Sequence, residues 1–338
     1  MRFFLIASTL ALALWGCGDH DTAQISKTPP LQMKRLNAEM SRLEERARPG
    51  RLGVAVMNLE NDQTYALNGD VPFPMQSVFK APLAAAVLAE VDAGRLRLDE
   101  AITLQGHDLS PPYSPIGAAY PGQRDYTVAE LLTAAAGGGD NTAADVLMKR
   151  IGGPGMVTAW LQSERIVEVR VDRYERQLQP DVAGLASFRP AWKDEAAYLA
   201  ALNAVPPGRR REATLAYLHD PRDTATPRDM LNFLHHLDDG QLLSKASTQR
   251  LMQIMTETRS GPDRLKAGLP EGARLAHKTG TARTDLGMNP AVNDVGVITL
   301  PDGRRYAVAV FLSGSTLAEA DRDALIADVA RAVVHGVN

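Results

Sequence analysis

Hydrophobic and polar positions change rhythm along the chain. Leu31, Leu36, Met40 and Leu43 recur at helical spacing among Lys, Arg and Glu, which predicts an amphipathic helix over 31–47. Arg51 to Leu59 (RLGVAVMNL) is short, β-branched and partly alternating. With a turn at Asn61-Asp62 and a return over Thr64–Leu67, it reads as a β-hairpin. From about 77 to 219 the pattern is mostly helical, clearest in VFKAPLAAAVLAEV and VAELLTAAA. Strands return in Val295–Leu300 and Tyr306–Leu312 around the turn Pro301-Asp302-Gly303. A last helix is predicted near 317–335, on Leu317, Ala320, Leu325, Val329 and Val333. This order predicts an α/β (α+β) fold, an antiparallel sheet flanked by N- and C-terminal helices with an inserted all-helical lobe. The α/β lobe takes about 31–70 and 221–338, the helical lobe about 71–220. A cleft between two such lobes is a natural place for a small-molecule site.

The first residues follow a different logic. Arg2 gives a positive start, and Phe3 to Trp15 is a nearly unbroken apolar stretch of 13 residues. A spanning helix needs ~20 residues, so this length suits a secretory signal over 1–16. Leu14-Trp15-Gly16-Cys17 resembles a bacterial lipoprotein signal, which implies cleavage before Cys17 and lipidation of its thiol. Residues 17–30, polar and closing on Pro-Pro, read as a tether between lipid and domain. The product is expected to be exported to the periplasm as an anchored lipoprotein, touching the membrane only through that anchor.

Composition narrows the field by exclusion. Among 338 residues, 37 Lys and Arg against 40 Asp and Glu leave a net charge of −3, with no basic footprint for nucleic acid. One cysteine can neither close an intramolecular disulfide nor build a Cys-rich zinc site. The seven histidines are scattered, and the adjacent His235 and His236 point to different sides of a helix. Neither metal nor cofactor is expected, and the chain is expected to act as a monomer. G-x-S-x-G, P-loop, G-x-G-x-x-G and H-E-x-x-H signatures are absent.

Ser77-Val78-Phe79-Lys80 holds the first candidate chemistry. On a helix starting near 77, positions i and i+3 share a face, so the lysine amine can reach the serine hydroxyl. Taken alone, Ser77 is either a nucleophile beside its base or the N-cap of a helix. Two more segments change that balance. Lys278-Thr279-Gly280 precedes the last hairpin, ending a strand beside the Ser77 helix, and Gly139-Asp140-Asn141 opens another helix.

Together these segments resemble the S-x-x-K, S-D-N and K-T-G set of the serine β-lactamase and penicillin-binding protein superfamily. The surroundings are similar to class A β-lactamases in particular. Tyr113-Ser114-Pro115, TVAELLTAAAGGGDNTAADVL, Val171-Asp172-Arg173-Tyr174-Glu175 and Pro221–Pro227 follow that family in order, from about residue 31 to 336. The resemblance implies Ser77 as nucleophile and Lys80 as its proton acceptor or relay. It also implies an oxyanion hole from the Ser77 and Thr281 N–H groups. Tyr113, Asn141, Lys278, Thr279, Gly280 and Thr281 are the implied substrate-binding positions. Glu175 is the implied activator of the hydrolytic water, with Arg173 and Asp223 pinning the base of an Ω-loop over about 172–223.

Three departures stand out. Gly139 replaces the serine of S-D-N, removing the hydroxyl that would pass a proton to the leaving nitrogen; either a water or Lys80 and Lys278 take its place. Gln179 stands where the family has an asparagine that helps hold the hydrolytic water. Glu175 and Asp223 are 48 positions apart, so the Ω-loop carries a long insertion, with Trp192 and Tyr198 placed to form a flap. The implied function is a serine hydrolase that opens small-molecule β-lactams through an acyl-serine. An esterase or peptidoglycan peptidase on the same scaffold fits the loss at 139, because an alkoxide leaves more easily than an amide nitrogen. A binder that stays acylated is the third alternative, against which Glu175 argues.

Overall fold

The computed structural model describes residues 29–185, 192 and 194–337. The predicted signal segment, Cys17 and the tether up to residue 28 lie outside the described residues. Helix α1 (Met33–Ala47) leads into strand β1 (Arg51–Asn58), which turns into β2 (Thr64–Leu67). The two-residue strand β3 (Phe73–Pro74) precedes a 3-10 turn, Gln76–Phe79, and helix α2 (Lys80–Asp92). Strands β4 (Ala101–Thr103) and β5 (Asp125–Thr127) pair across the short helix α3 (Pro115–Ala119). Helix α4 (Val128–Leu132) widens into a π turn over Thr133–Gly137, and α5 (Asn141–Arg150) and α6 (Pro154–Ser163) follow. Helices α7 (Glu175–Val182), α8 (Glu195–Asn203) and α9 (Pro207–Leu218) come next. Strand β6 (Thr224–Ala225) returns to pair with β3, ahead of α10 (Pro227–Asp238) and α11 (Lys245–Thr256). Strands β7 (Arg274–Thr281), β8 (Asn289–Thr299) and β9 (Arg305–Ser315) and helix α12 (Glu319–Gly336) complete the chain.

The five-stranded sheet runs β2-β1-β9-β8-β7, antiparallel throughout. Strand side chains alternate between faces, and each face has its own core. Leu52, Val54, Val56, Val308, Val310 and Leu312 pack under Leu36, Met40 and Leu43 of α1 and Leu325, Ile326, Val329 and Val333 of α12. On the other face Ala55, Ala307, Ala309 and Phe311 meet α2, α10 and the helical block. Helix α2 is buried almost all round, as its unbroken KAPLAAAVL run requires.

The β1–β2 hairpin, α1 and α12 lie where the periodicity predicts them. Strand β8 starts well before the predicted Val295 and β9 runs on past Leu312, because nearly every position is buried on both faces and alternation vanishes. The helix predicted from 77 starts instead at Lys80. Ser77 sits in the preceding 3-10 turn, entered through Gln76 at φ +47°. That tightening strengthens the predicted pairing, since residues i and i+3 eclipse in a 3-10 turn.

Candidate active site

The turn carrying Ser77 is clamped from several sides. The Asn293 side-chain amide donates to Pro74 O and Met75 O, each at 2.9 Å. Met75 N donates to Asp223 O at 3.0 Å, joining the turn to the base of the long loop. Strand β7 approaches so closely that a Cβ on Gly280 would stand 2.3 Å from Met75 O and 3.0 Å from Val78 N. Only glycine fits there. Thr281, exposed, ends β7 next to that contact.

Lys80 is fully buried, and its Nζ meets four oxygens: Ser77 Oγ at 3.0 Å, Gly139 O at 2.7 Å, Asn141 Oδ1 at 2.5 Å and Glu175 Oε1 at 2.8 Å. An ammonium has three hydrogens, so one neighbour is always held by charge alone. Glu175 Oε1 takes that part, because it has no hydrogen bond of its own. Lys80 and Glu175 thus form a buried ion pair that also touches the Ser77 hydroxyl.

Glu175 starts α7, and its backbone N–H donates to Asp145 Oδ1 at 2.6 Å. The other Asp145 oxygen accepts from Arg176 N at 3.0 Å and Ser110 Oγ at 2.7 Å. Burial, with the Glu175 charge adding to it, pushes the Asp145 carboxyl up to about 6 against these bonds. Gln179, one turn along α7, donates to Glu175 Oε2 at 2.9 Å and to Gln76 Oε1 at 3.1 Å. At the loop's neck Arg173 Nε donates to Asp223 Oδ2 at 2.6 Å, while Nη1 reaches Asp181 at 2.9 Å and Asp220 at 3.2 Å.

Asp140 caps α5, accepting from Ala143 N and Ile116 N, each at 2.8 Å, and so fixes α5 to the turn holding Tyr113. Asn141 Nδ2 donates to Pro112 O at 2.6 Å, which leaves its second N–H for a substrate carbonyl. Tyr113 is exposed at the rim. Gly139 has φ +79°, a conformation L side chains rarely adopt. On the opposite wall Lys278 is buried and donates to Thr279 O at 2.9 Å, and Thr279 Oγ1 donates to Ser260 Oγ at 2.9 Å. Burial, and then repulsion from Lys80, brings the Lys278 ammonium down to about 7. Ser77, Gly139, Asn141 and Glu175 thus meet at Lys80, Gln179 lies on Glu175, and Lys278 and the exposed Tyr113 flank Gly139. No cluster able to hold a metal occurs among the described residues.

The sequence reading did not single out Gln76, Asp145 or Tyr217. Gln76 is 1% exposed, and its Nε2 donates to the Tyr217 hydroxyl at 2.8 Å. A glutamine inside the apolar run Phe73–Phe79 was the available signal. The insertion expected as a flap forms α8 and α9. Tyr198 Oη donates to Gln179 O at 3.0 Å, and Arg210 of α9 pairs with Asp285, after β7, at 2.7 Å. Trp192 packs edge-on against Tyr198, with ring centroids 6.0 Å apart.

A Ser-x-x-Lys turn, a buried Lys–Glu pair and a K-T-G strand meet on this sheet. The model of the β-lactamase enzyme family matches residues 34–337, and the chain belongs to that family. It is similar to β-lactamase VEB-1 of Pseudomonas aeruginosa, at 32% identity over 85% of this chain and 85% of that protein. It is also similar to the extended-spectrum β-lactamase PER-1 of the same organism, at 33% identity over 83% and 80% of the two chains. Among solved structures, a β-lactamase from Chitinophaga pinensis DSM 2588 matches with a TM-score of 0.74 and 33% identity, covering 90% of this chain and 99% of that one. An ancestral (GNCA) class A β-lactamase matches at 0.71 and 40%, covering 89% and 99%. The fold is the class A β-lactamase fold.

Proposed function

We propose that this protein is a class A serine β-lactamase that hydrolyses β-lactams by way of an acyl-Ser77 ester. The observation that carries the reading is Lys80 Nζ, 3.0 Å from Ser77 Oγ and 2.8 Å from Glu175 Oε1. Ser77 Oγ attacks the lactam carbonyl while its proton passes to the Lys80–Glu175 pair. The C–N bond breaks, and that proton reaches the nitrogen through a water or Lys278. Glu175 then takes a proton from a water, whose oxygen adds to the acyl carbon. The ester C–O bond breaks, and the proton returns to Ser77 Oγ. Lys278 and Thr279 suit a substrate carboxylate, Asn141 and Tyr113 the acyl side, and Gln179 the hydrolytic water. The Ser77 and Thr281 N–H groups serve the oxyanion.

Incubation with a fluorescent penicillin and a chromogenic cephalosporin tests this reading. Ser77→Ala is expected to lose covalent labelling with the fold intact. Glu175→Ala is expected to acylate and hold the adduct, visible by intact mass. Labelling at another serine in the first variant, or unchanged turnover in the second, overturns the assignment. Gly139 favours ester turnover as a second activity, since a leaving alkoxide needs less protonation; an ester substrate run in parallel gives the ratio.

The same proposal places the enzyme in the periplasm, as a monomer held by a lipid on Cys17, on the strength of the apolar start and the Leu14–Cys17 segment. Cys17→Ala is expected to release it from the membrane fraction as a species of monomer size. A mature chain lacking Cys17 sinks the anchor.

A further inference from the structure

Gln179 is short of freedom. Both of its amide hydrogens are committed, one to Glu175 Oε2 at 2.9 Å and one to Gln76 Oε1 at 3.1 Å. Only its own carbonyl oxygen is left to offer a water. The direction of this arrangement is set at both ends. An ionised carboxylate is acceptor-only, so Glu175 requires the Nε2 side of Gln179. Gln179 in turn requires the Oε1 side of Gln76, which points the Gln76 Nε2 away, onto the Tyr217 hydroxyl at 2.8 Å.

Tyr217 lies in α9, within the segment that lengthens the loop between Glu175 and Asp223. Its ring is 4% exposed and lies under the Arg173 guanidinium, 6.0 Å from the centroid. Burial raises its phenol well above the usual value, so the hydroxyl stays neutral. Two turns before Tyr217, the Arg210–Asp285 pair ties α9 to the loop after β7. A second hydroxyl from the insertion, Tyr198 Oη, donates to the Gln179 backbone carbonyl at 3.0 Å.

We propose that the inserted α8–α9 segment is a positioning element for deacylation, in which Tyr217 orients Gln76 and thereby holds Gln179 on Glu175. The inference rests on the hydrolase reading above and extends it to residues outside the motif set. Without an acceptor at 217, Gln76 has no fixed direction. Its reversed orientation sets two N–H donors face to face and pushes Gln179 off the carboxylate. In acylation the Ser77 proton reaches Glu175 at Oε1 by way of Lys80, whereas the chain of bonds from Tyr217 ends on the other oxygen, Oε2, beside the Gln179 carbonyl left for the water of deacylation. The insertion therefore acts on one half of the cycle.

Tyr217→Phe removes a single oxygen and keeps the ring. Acyl-enzyme is formed with a slowly released cephalosporin, and its decay is followed by intact mass beside steady-state kinetics and thermal melting. The expected result is decay slowed roughly tenfold, with kcat and KM falling together, kcat/KM unchanged and the melting temperature nearly unchanged, a deficit in turning over the acyl-enzyme alone. In a Gln76→Met background, where no amide needs orienting, Tyr217→Phe is expected to add nothing. Equal loss of kcat/KM and decay rate, or full additivity with Gln76→Met, would mean that Tyr217 only packs. Unchanged decay in Tyr217→Phe, in a protein whose parent acylates and turns over normally, overturns the positioning role alone. A parent that never acylates at Ser77 overturns the hydrolase reading, and this inference with it.

Discussion

A β-carbon placed on Gly139 would stand 4.0 Å from Lys278 Nζ, with the Tyr113 ring 3.5 Å away on its other side. Those are ordinary contacts, so a serine side chain at this position would lie beside Lys278 without displacing it. Backbone conformation opposes it, since φ is +79°. A non-glycine residue there costs on the order of 1–2 kcal/mol.

Gly139→Ser is therefore expected to change two quantities in opposite directions. The melting temperature falls, while kcat/KM for a penicillin rises by ~10-fold, about 1.4 kcal/mol of transition-state stabilisation. Ester turnover is expected to change little. Steady-state kinetics on both substrates, with a crystal structure of the variant, decides it. A folded variant with its hydroxyl between Lys80 and Lys278 and no gain on penicillins would show that protonation of the nitrogen is already met.

Lys278 sets a pH dependence. Its ammonium, brought down to about 7, is charged below that pH and neutral above it. KM for a carboxylate-bearing penicillin is expected to rise as pH climbs past 7, approaching tenfold per unit, and Lys278→Arg is expected to flatten that rise. Stability runs the other way. Between about 7 and the ordinary 10.5 the unfolded chain binds the extra proton, so this group's penalty on the fold shrinks as pH increases and is complete below 7. A pH-independent KM from 6 to 9 would remove Lys278 from carboxylate recognition.

Arg173 holds the loop's neck, and its loss strands a buried carboxylate. Asp223 is 1% exposed and would keep only the N–H groups of residues 172 and 173 on Oδ1. Removing one partner of such a pair costs about 3–5 kcal/mol. Arg173→Ala is expected to lower the melting temperature by on the order of 10 °C and to slow release of the acyl-enzyme more than its formation. Calorimetry and the adduct-decay experiment measure the two effects. A stable variant with normal decay would mean the neck is held by backbone alone.

The outer frame was legible because its residues obey a period. Helix α1 is held by Leu36, Met40 and Leu43 every three or four residues, and the β1–β2 hairpin by a short alternating pair around a turn. Long-range order was not legible in the same way. No local pattern tells β1 to pair with β9, more than two hundred positions downstream, and the two-residue β3–β6 bridge is too short to carry a rhythm. The same contrast holds in the cleft. Ser77, Lys80, Asn141 and Lys278 announce themselves as short motifs. Gln76, Asp145 and Tyr217 do not, because each takes its place from a partner distant in sequence. The left-handed Gln76 backbone was likewise hidden, since glutamine gives no signal for a positive φ.

The two cores on either side of the sheet have one more consequence. Gln32 N donates to Gly336 O at 2.8 Å, so α1 and α12, the first and last helices among the described residues, meet beside each other on the face opposite Ser77. The sheet is thus a partition between the described ends of the polypeptide and the Ser77 turn. A surface or fusion partner joined close to Leu31 or Val337 starts out behind the sheet, on the side away from the Ser77 turn. Immobilisation close to those two residues is then expected to leave the Ser77 turn open to solute.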